Sequence, residues 1–133
     1  MNKGKDFEAL VALVEKAVHN LPGVEVLHDV KLPTKYGGER QIDIVLKEIR
    51  GRFIYLTIIE CKNTNAKVTV NMVGAFKELK DSVSAHQGIF VSASGFQSGA
   101  LLSAKDENIF LTSYRRLRNW KNTCSTTGSL CMS

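Results

Sequence analysis

Between Asp6 and Leu21 the apolar residues Phe7, Leu10, Val11, Val14, Val18 and Leu21 return at steps of three and four, the spacing of one helix face. Asp6 stands where an N-cap side chain would accept from the first free backbone N–H groups, and Pro22 and Gly23 close the run. Over residues 24–32 the period changes to two, which predicts a first strand with Val24, Val26, His28, Val30 and Leu32 on one side. Residues 33–39, with Gly37 and Gly38 among them, read as a loop. Residues 41–49 and 53–61 are two further strand-like runs, and the short Arg50-Gly51-Arg52 link between them predicts an antiparallel hairpin. The second run is apolar on both faces, as a central strand requires.

After a polar segment at residues 63–69, Met72, Val73, Phe76, Leu79 and Val83 form the face of a second helix. Residues 88–93 read as a short buried strand, 97–106 as a short helix and 108–112 as a last strand. The predicted order is α-β-β-β-α-β-α-β. Alternating strands and helices in the second half require crossovers and parallel pairing, whereas the hairpin is antiparallel. The expected sheet is therefore mixed and flanked by helices.

Composition narrows the class of protein. The 133 residues are 44% hydrophobic and 23% charged, the balance of one ordinary globular domain and not of a disordered chain. No apolar run approaches the roughly 18 residues of a membrane helix, and the N-terminus lacks a signal-peptide core, so a cytoplasmic protein is expected. Cys61, Cys124 and Cys131 are odd in number and form no CxxC pair, which argues against a disulfide framework or a structural zinc site. A net charge of +5 suits an anionic partner such as nucleic acid.

Two polar interruptions of apolar strands carry the chemistry. The buried run ends in Glu60-Cys61-Lys62, and strand alternation projects Glu60 and Lys62 from one face. Asp43 interrupts the partner strand of the hairpin. A register that sets Asp43 opposite Glu60, or opposite Ile58 and diagonal to Glu60, puts both carboxylates on one face; a shift by one residue would separate them. Two carboxylates crowded at the end of a hydrophobic sheet repel each other, and a hard divalent cation such as Mg²⁺ or Mn²⁺ relieves that repulsion. With Lys62 beside it, such an ion meets the needs of phosphodiester hydrolysis. Spacing alone is weak evidence, because Glu78-Leu79-Lys80 repeats the E-x-K pattern on the second helix and Asp29-Val30-Lys31 gives a D-x-K on the first strand.

Gln41-Ile42-Asp43-Ile44-Val45, followed after sixteen intervening residues by Glu60-Cys61-Lys62-Asn63, resembles the PD-(D/E)xK nuclease superfamily and in particular its Mrr-type restriction endonuclease branch. Gly4-Lys5-Asp6-Phe7-Glu8 resembles that family's first helix, and the stretch from Gly88 through Phe96 to Ala100 resembles the strand and helix that follow its catalytic core. The resemblance implies a restriction-endonuclease-like three-layer α-β-α fold with a central mixed sheet over residues 1–113; the basic helix or tail read at 114–133 departs from it. It implies Asp43 and Glu60 as metal ligands, the Cys61 backbone carbonyl as a further ligand, and Lys62 orienting or activating the attacking water. Glu8 matches an acidic residue that often completes such sites, although on the predicted helix it also lines a face with Ala12, Glu15 and His19. Gln41, two residues before Asp43, is placed to hydrogen-bond a ligand.

The expected activity is a Mg²⁺-dependent DNA endonuclease, with Mn²⁺ as substitute. Lys35, Arg40 and Lys67 in flanking loops, and Arg115, Arg116 and Arg118 beside Tyr114 and Trp120 in the tail, are candidate phosphate contacts. A second copy of the chain or a separate recognition subunit would add grip on a duplex. Ile42 stands where the superfamily's name has Pro, as is common in the Mrr-type branch. A resolvase-like enzyme for branched DNA, or a DNA-binding subunit that does not cut, would share part of this pattern.

Overall fold

The protein is described by a computed structural model over residues 11–12, 23–105 and 108–113. Its elements are β1 (Val24–Pro33), β2 (Glu39–Arg50), β3 (Phe53–Lys62), α1 (Val70–Ser82), β4 (Gln87–Ser92), α2 (Ser98–Ser103) and β5 (Ile109–Ser113). The strands lie side by side in chain order, β1-β2-β3-β4-β5. Pairing is antiparallel for β1–β2 and β2–β3 and parallel for β3–β4 and β4–β5, the mixed sheet that the hairpin and the two crossovers demand.

Alternation along the strands builds two cores. Val45, Ile58, Phe90 and Ile109 pack against Val73, Phe76 and Leu79 of α1 and Ala100 of α2. Ile44, Leu46, Ile59, Ile89 and Val91 point the other way and gather around Val11 and Ala12, the two described residues of the predicted first helix, both helical and buried. Helical residues on both faces of the sheet make the three layers. The remainder of that first helix, with Asp6 and Glu8, lies outside the described residues, as does the segment 114–133 with Arg115, Arg116 and Arg118. Thr69 starts α1, its hydroxyl accepting from the Met72 backbone N–H at 3.3 Å.

The β2–β3 hairpin closes on the pair Arg50–Phe53, with Gly51 at φ +61° in the first central position, where a type II′ turn needs a positive φ. The outer end of β3 departs from the expectation of burial on both faces. Phe53 is 77% and Ile54 57% exposed, because the hairpin tip extends past its neighbours, and full burial starts at Thr57.

The first strand departs further from its predicted pattern. Val26 packs with the Val11 core, whereas Leu27, Val30 and Leu32 pack with the α1 core, so the two-residue period is broken between Leu27 and Val30. Asp29 stands at the break with a left-handed φ of +59°. The partner strand changes phase at the same level: Ile44 and Leu46 face the Val11 core, whereas Ile42 joins Val45 on the α1 side. The β1–β2 ribbon thus bends, and its far end folds over α1. There the Lys35 backbone N–H donates to the Ser82 carbonyl at 2.9 Å, and Lys35 Nζ and the Tyr36 hydroxyl donate to the Asp81 carboxylate at 3.0 and 3.1 Å. Arg40 Nη1 donates to both Glu78 oxygens at 3.2 Å.

Candidate metal-binding and catalytic site

The sheet forks where the two acidic residues sit. The β2–β3 ladder runs from Arg50–Phe53 to Ile44–Ile59 and stops. Beyond that point β2 stays with β1 as far as the pair Pro33–Glu39, while β3 stays with β4 as far as Lys62–Ser92. One step past the last β2–β3 pair, the same register sets Asp43 across from Glu60. Of the two registers open to the sequence, the one whose continuation sets Asp43 opposite Glu60 is the one adopted. Glu60 is flanked on its other side by Phe90 of β4, whose ring meets those of Phe76 and Phe96 edge to face at centroid distances of 5.3 and 5.8 Å.

Asp43 reaches across the fork. Its Oδ2 accepts the Cys61 backbone N–H at 3.0 Å, fixing the carboxylate against β3 between Glu60 and Lys62 in the chain. Burial holds the Glu60 carboxyl above the ordinary carboxylate range, the Asp43 charge pushes it further, and Lys62 and Arg40 pull it partway back. A carboxylate that is desolvated and faces a second carboxylate gains more from an adjacent cation than an exposed one does. The donor chemistry of the pair, two hard oxygen anions at one fork, fits a hard divalent ion. Among the described residues no cluster of three or more His, Cys, Asp or Glu that could hold a metal ion is assembled.

The other predicted site residues are distributed unevenly. Lys62 ends β3 two residues after Glu60 and is half-buried. The Ala93 backbone N–H donates to the Lys62 carbonyl at 2.9 Å, tying the loop after β4 to the loop after β3. Gln41 is exposed, and its amide donates to the Asp29 carboxylate. Lys67 is exposed in the segment between β3 and α1. Arg40 is not in a loop, as expected, but in β2, because strand pairing continues to Glu39. Arg40 and Lys35 are both engaged by carboxylates of α1, Glu78 and Asp81. Glu78 is a solvated charge of the helix, 61% exposed, that also pairs with Arg40 of the bent ribbon. Sequence reasoning missed Asp29, whose only signal was an acidic residue inside a strand pattern.

A five-stranded mixed sheet between helical layers, split at a paired Asp and Glu with a Lys two residues on, is the architecture of the restriction-endonuclease-like fold. The family model Mrr_cat, described as Restriction endonuclease, matches residues 2–121, and the chain belongs to that family. No curated protein matches it. Among solved structures it is similar to the protein of unknown function AF1548, with a TM-score of 0.63 and 18% identity over 80% of this chain and 58% of that one. It is also similar to the MspJI restriction endonuclease in complex with a 27-mer oligonucleotide, with a TM-score of 0.61 and 16% identity over 87% of this chain and 27% of that one. The DNA modification-dependent restriction endonuclease AspBHI matches with a TM-score of 0.58 and 17% identity over 91% of this chain and 31% of that one. The chain thus spans from about a quarter to about three fifths of these solved chains. Among the described residues no helix is long and apolar enough to cross a membrane.

Proposed function

We propose that the chain is a metal-dependent endonuclease that hydrolyses DNA phosphodiester bonds. The observation that carries this reading is the register of the hairpin, which sets Asp43 opposite Glu60 at the fork, with the Asp43 carboxylate fixed by the Cys61 N–H. Membership of the restriction endonuclease family supports it. So does the net charge of +5, which favours encounter with a polyanion.

Asp43 and Glu60 would hold Mg²⁺ or Mn²⁺, with the Cys61 carbonyl and Glu8 as further donors. When bound, the ion lowers the pKa of a water and stabilises negative charge growing on a phosphate oxygen. The remaining work falls to the chain. Asp43 keeps its orientation because the Cys61 N–H holds its Oδ2. Lys62, on the strand face of Glu60, orients the attacking water and offers its charge to the phosphate. Gln41 adds an amide near the fork. Lys67 and the tail arginines Arg115, Arg116 and Arg118 contact the DNA backbone; Lys35 and Arg40 would do so only by exchanging Asp81 and Glu78 for phosphate. A homodimer or a recognition subunit would supply a second cut and target selection.

The test is cleavage of plasmid and oligonucleotide DNA by the full chain in Mg²⁺, Mn²⁺ or EDTA, beside Glu60→Gln and Lys62→Ala. Cutting is expected with either ion and lost with EDTA or in either variant. Cutting that survives EDTA or Glu60→Gln overturns the assignment. Salt-sensitive DNA binding with no cutting by the native chain moves it to a binding subunit. Matched linear, nicked and four-way-junction substrates separate a general endonuclease from a resolvase-like enzyme.

A further inference from the structure

A carboxylate at the mouth of a forked sheet reaches the opposite strand only if its own strand turns out of the ladder at that point. In a regular strand the Asp43 side chain would stand perpendicular to the sheet, roughly parallel to that of Glu60. Instead it lies alongside β3 and accepts a β3 backbone N–H. Three observations place the cause on the other side of Asp43, in β1. The β1–β2 ladder pairs His28 with Ile44 and Val30 with Ile42, which sets Asp29 across from Asp43. Asp29 has a φ of +59°, a left-handed conformation that non-glycine residues seldom adopt inside a strand and that Asp tolerates better than most. Both strands exchange their core-facing sides at this level: Leu27 and Val30 share a core, and so do Val45 and Ile42, although the members of each pair stand three positions apart.

We propose that Asp29 is a positioning residue: its left-handed backbone, set across the ribbon from Asp43, holds the bend that delivers the Asp43 carboxylate to the edge of β3. The inference rests on the reading of Asp43 and Glu60 as an ion-binding pair and extends it to a residue that does not touch the ion. The Asp29 carboxylate also accepts the Gln41 amide, an exposed contact between the two arms of the ribbon. At the far end, the contacts of Lys35 and Tyr36 with Asp81 and of Arg40 with Glu78 fasten the bent ribbon to α1. A β-branched residue at position 29 resists φ near +60°, and a glycine accepts it freely. The role is therefore one of backbone conformation, and it separates from the loss of a charge.

The experiment is an electron paramagnetic resonance titration of the metal-free full chain with Mn²⁺, comparing native protein, Asp29→Gly, Asp29→Asn and Asp29→Val, with kcat and KM for DNA measured alongside. Glycine and asparagine variants should bind Mn²⁺ within about threefold of the native chain, because both tolerate the left-handed region. The valine variant should bind it about tenfold more weakly, a fold-change equal to about 1.4 kcal/mol, with kcat reduced and KM for DNA unchanged. If Asp29→Val does not fold, Asp29→Ala takes its place, with weaker binding than Asp29→Gly as the expected order. Native-like Mn²⁺ binding by the valine or alanine variant overturns the proposal. So does loss in glycine equal to that in valine, which would assign the effect to the carboxylate. A native chain that binds Mn²⁺ and cuts no DNA refutes the nuclease reading and leaves the Gly–Val comparison decisive for Asp29. A native chain that binds no Mn²⁺ overturns both.

Discussion

Adding one methyl group to Gly88 should destabilise the protein, and removing one aromatic ring should reverse the sign of that effect. Gly88 opens the inner part of β4, where a Cβ would lie 2.8 Å from Cε2 and 3.0 Å from Cζ of Phe76, and 3.4 Å from Cδ of Lys80. Lys80 is flexible, but the ring has nowhere to go. Phe76 is 1% exposed and packs edge to face on Phe90, which is itself fully buried beside Glu60. Overpacking of this kind costs about 1–3 kcal/mol. For a chain of this size that lowers Tm by roughly 3–5 °C per kcal/mol. Phe76→Ala alone forfeits about 3–5 kcal/mol in buried surface and cavity, plus about 1 kcal/mol for the lost aromatic pair.

In the Phe76→Ala background the atoms that a Cβ at position 88 would strike are gone, and the methyl fills part of the vacated space. Gly88→Ala should then be neutral or stabilising by up to about 1 kcal/mol, through the reduced freedom of the unfolded chain. The coupling between the two substitutions is expected at about 2 kcal/mol or more, well above the scatter of additive pairs. Urea and thermal unfolding of the four proteins, followed by circular dichroism, measures the cycle; Phe76→Leu is the milder background if the alanine variant is too unstable. Additive effects within about 0.5 kcal/mol would refute the packing argument, as would a Gly88→Ala protein that melts with the native one.

The raised Glu60 carboxyl also carries a pH signature. Because the folded state binds this proton more tightly than the unfolded chain, the group costs stability above its folded pKa. The cost is relieved as pH falls through that value and is absent below the ordinary carboxylate range. Glu60→Gln should therefore melt above the native chain at neutral pH, with the difference shrinking in mild acid, and it should lack the rise in Tm expected of the native chain in Mg²⁺ or Mn²⁺. A variant that melts below the native chain at neutral pH contradicts the assigned cause. Lys67→Ala should weaken DNA binding to all sequences alike and reduce the slope of log K against log salt by about 0.9, the release of one counterion's worth of phosphate contact. An unchanged slope would remove Lys67 from the interface.

The alternation and three-to-four-residue periods in the sequence located the five strands and the two helices that the described residues contain, because apolar faces must be buried whatever lies against them. The same patterns isolated Asp43, Glu60 and Lys62, since a charge at the end of an apolar strand stands out before any fold is known. Hairpin pairing followed from the short Arg50-Gly51-Arg52 link, and with it a small set of registers. The choice among those registers needed the three-dimensional structure, as did everything that depends on contacts between residues distant in the chain. Arg40 and Lys35 look like free cations in the sequence, yet Glu78 and Asp81 engage them from a helix about forty residues away. Asp29 looks like an ordinary polar position of a first strand, and its left-handed backbone is visible only in the bent ribbon. Periodicity reports which side of a local element is buried. It cannot report where an element stops being regular, because that is decided by what the rest of the chain packs against it.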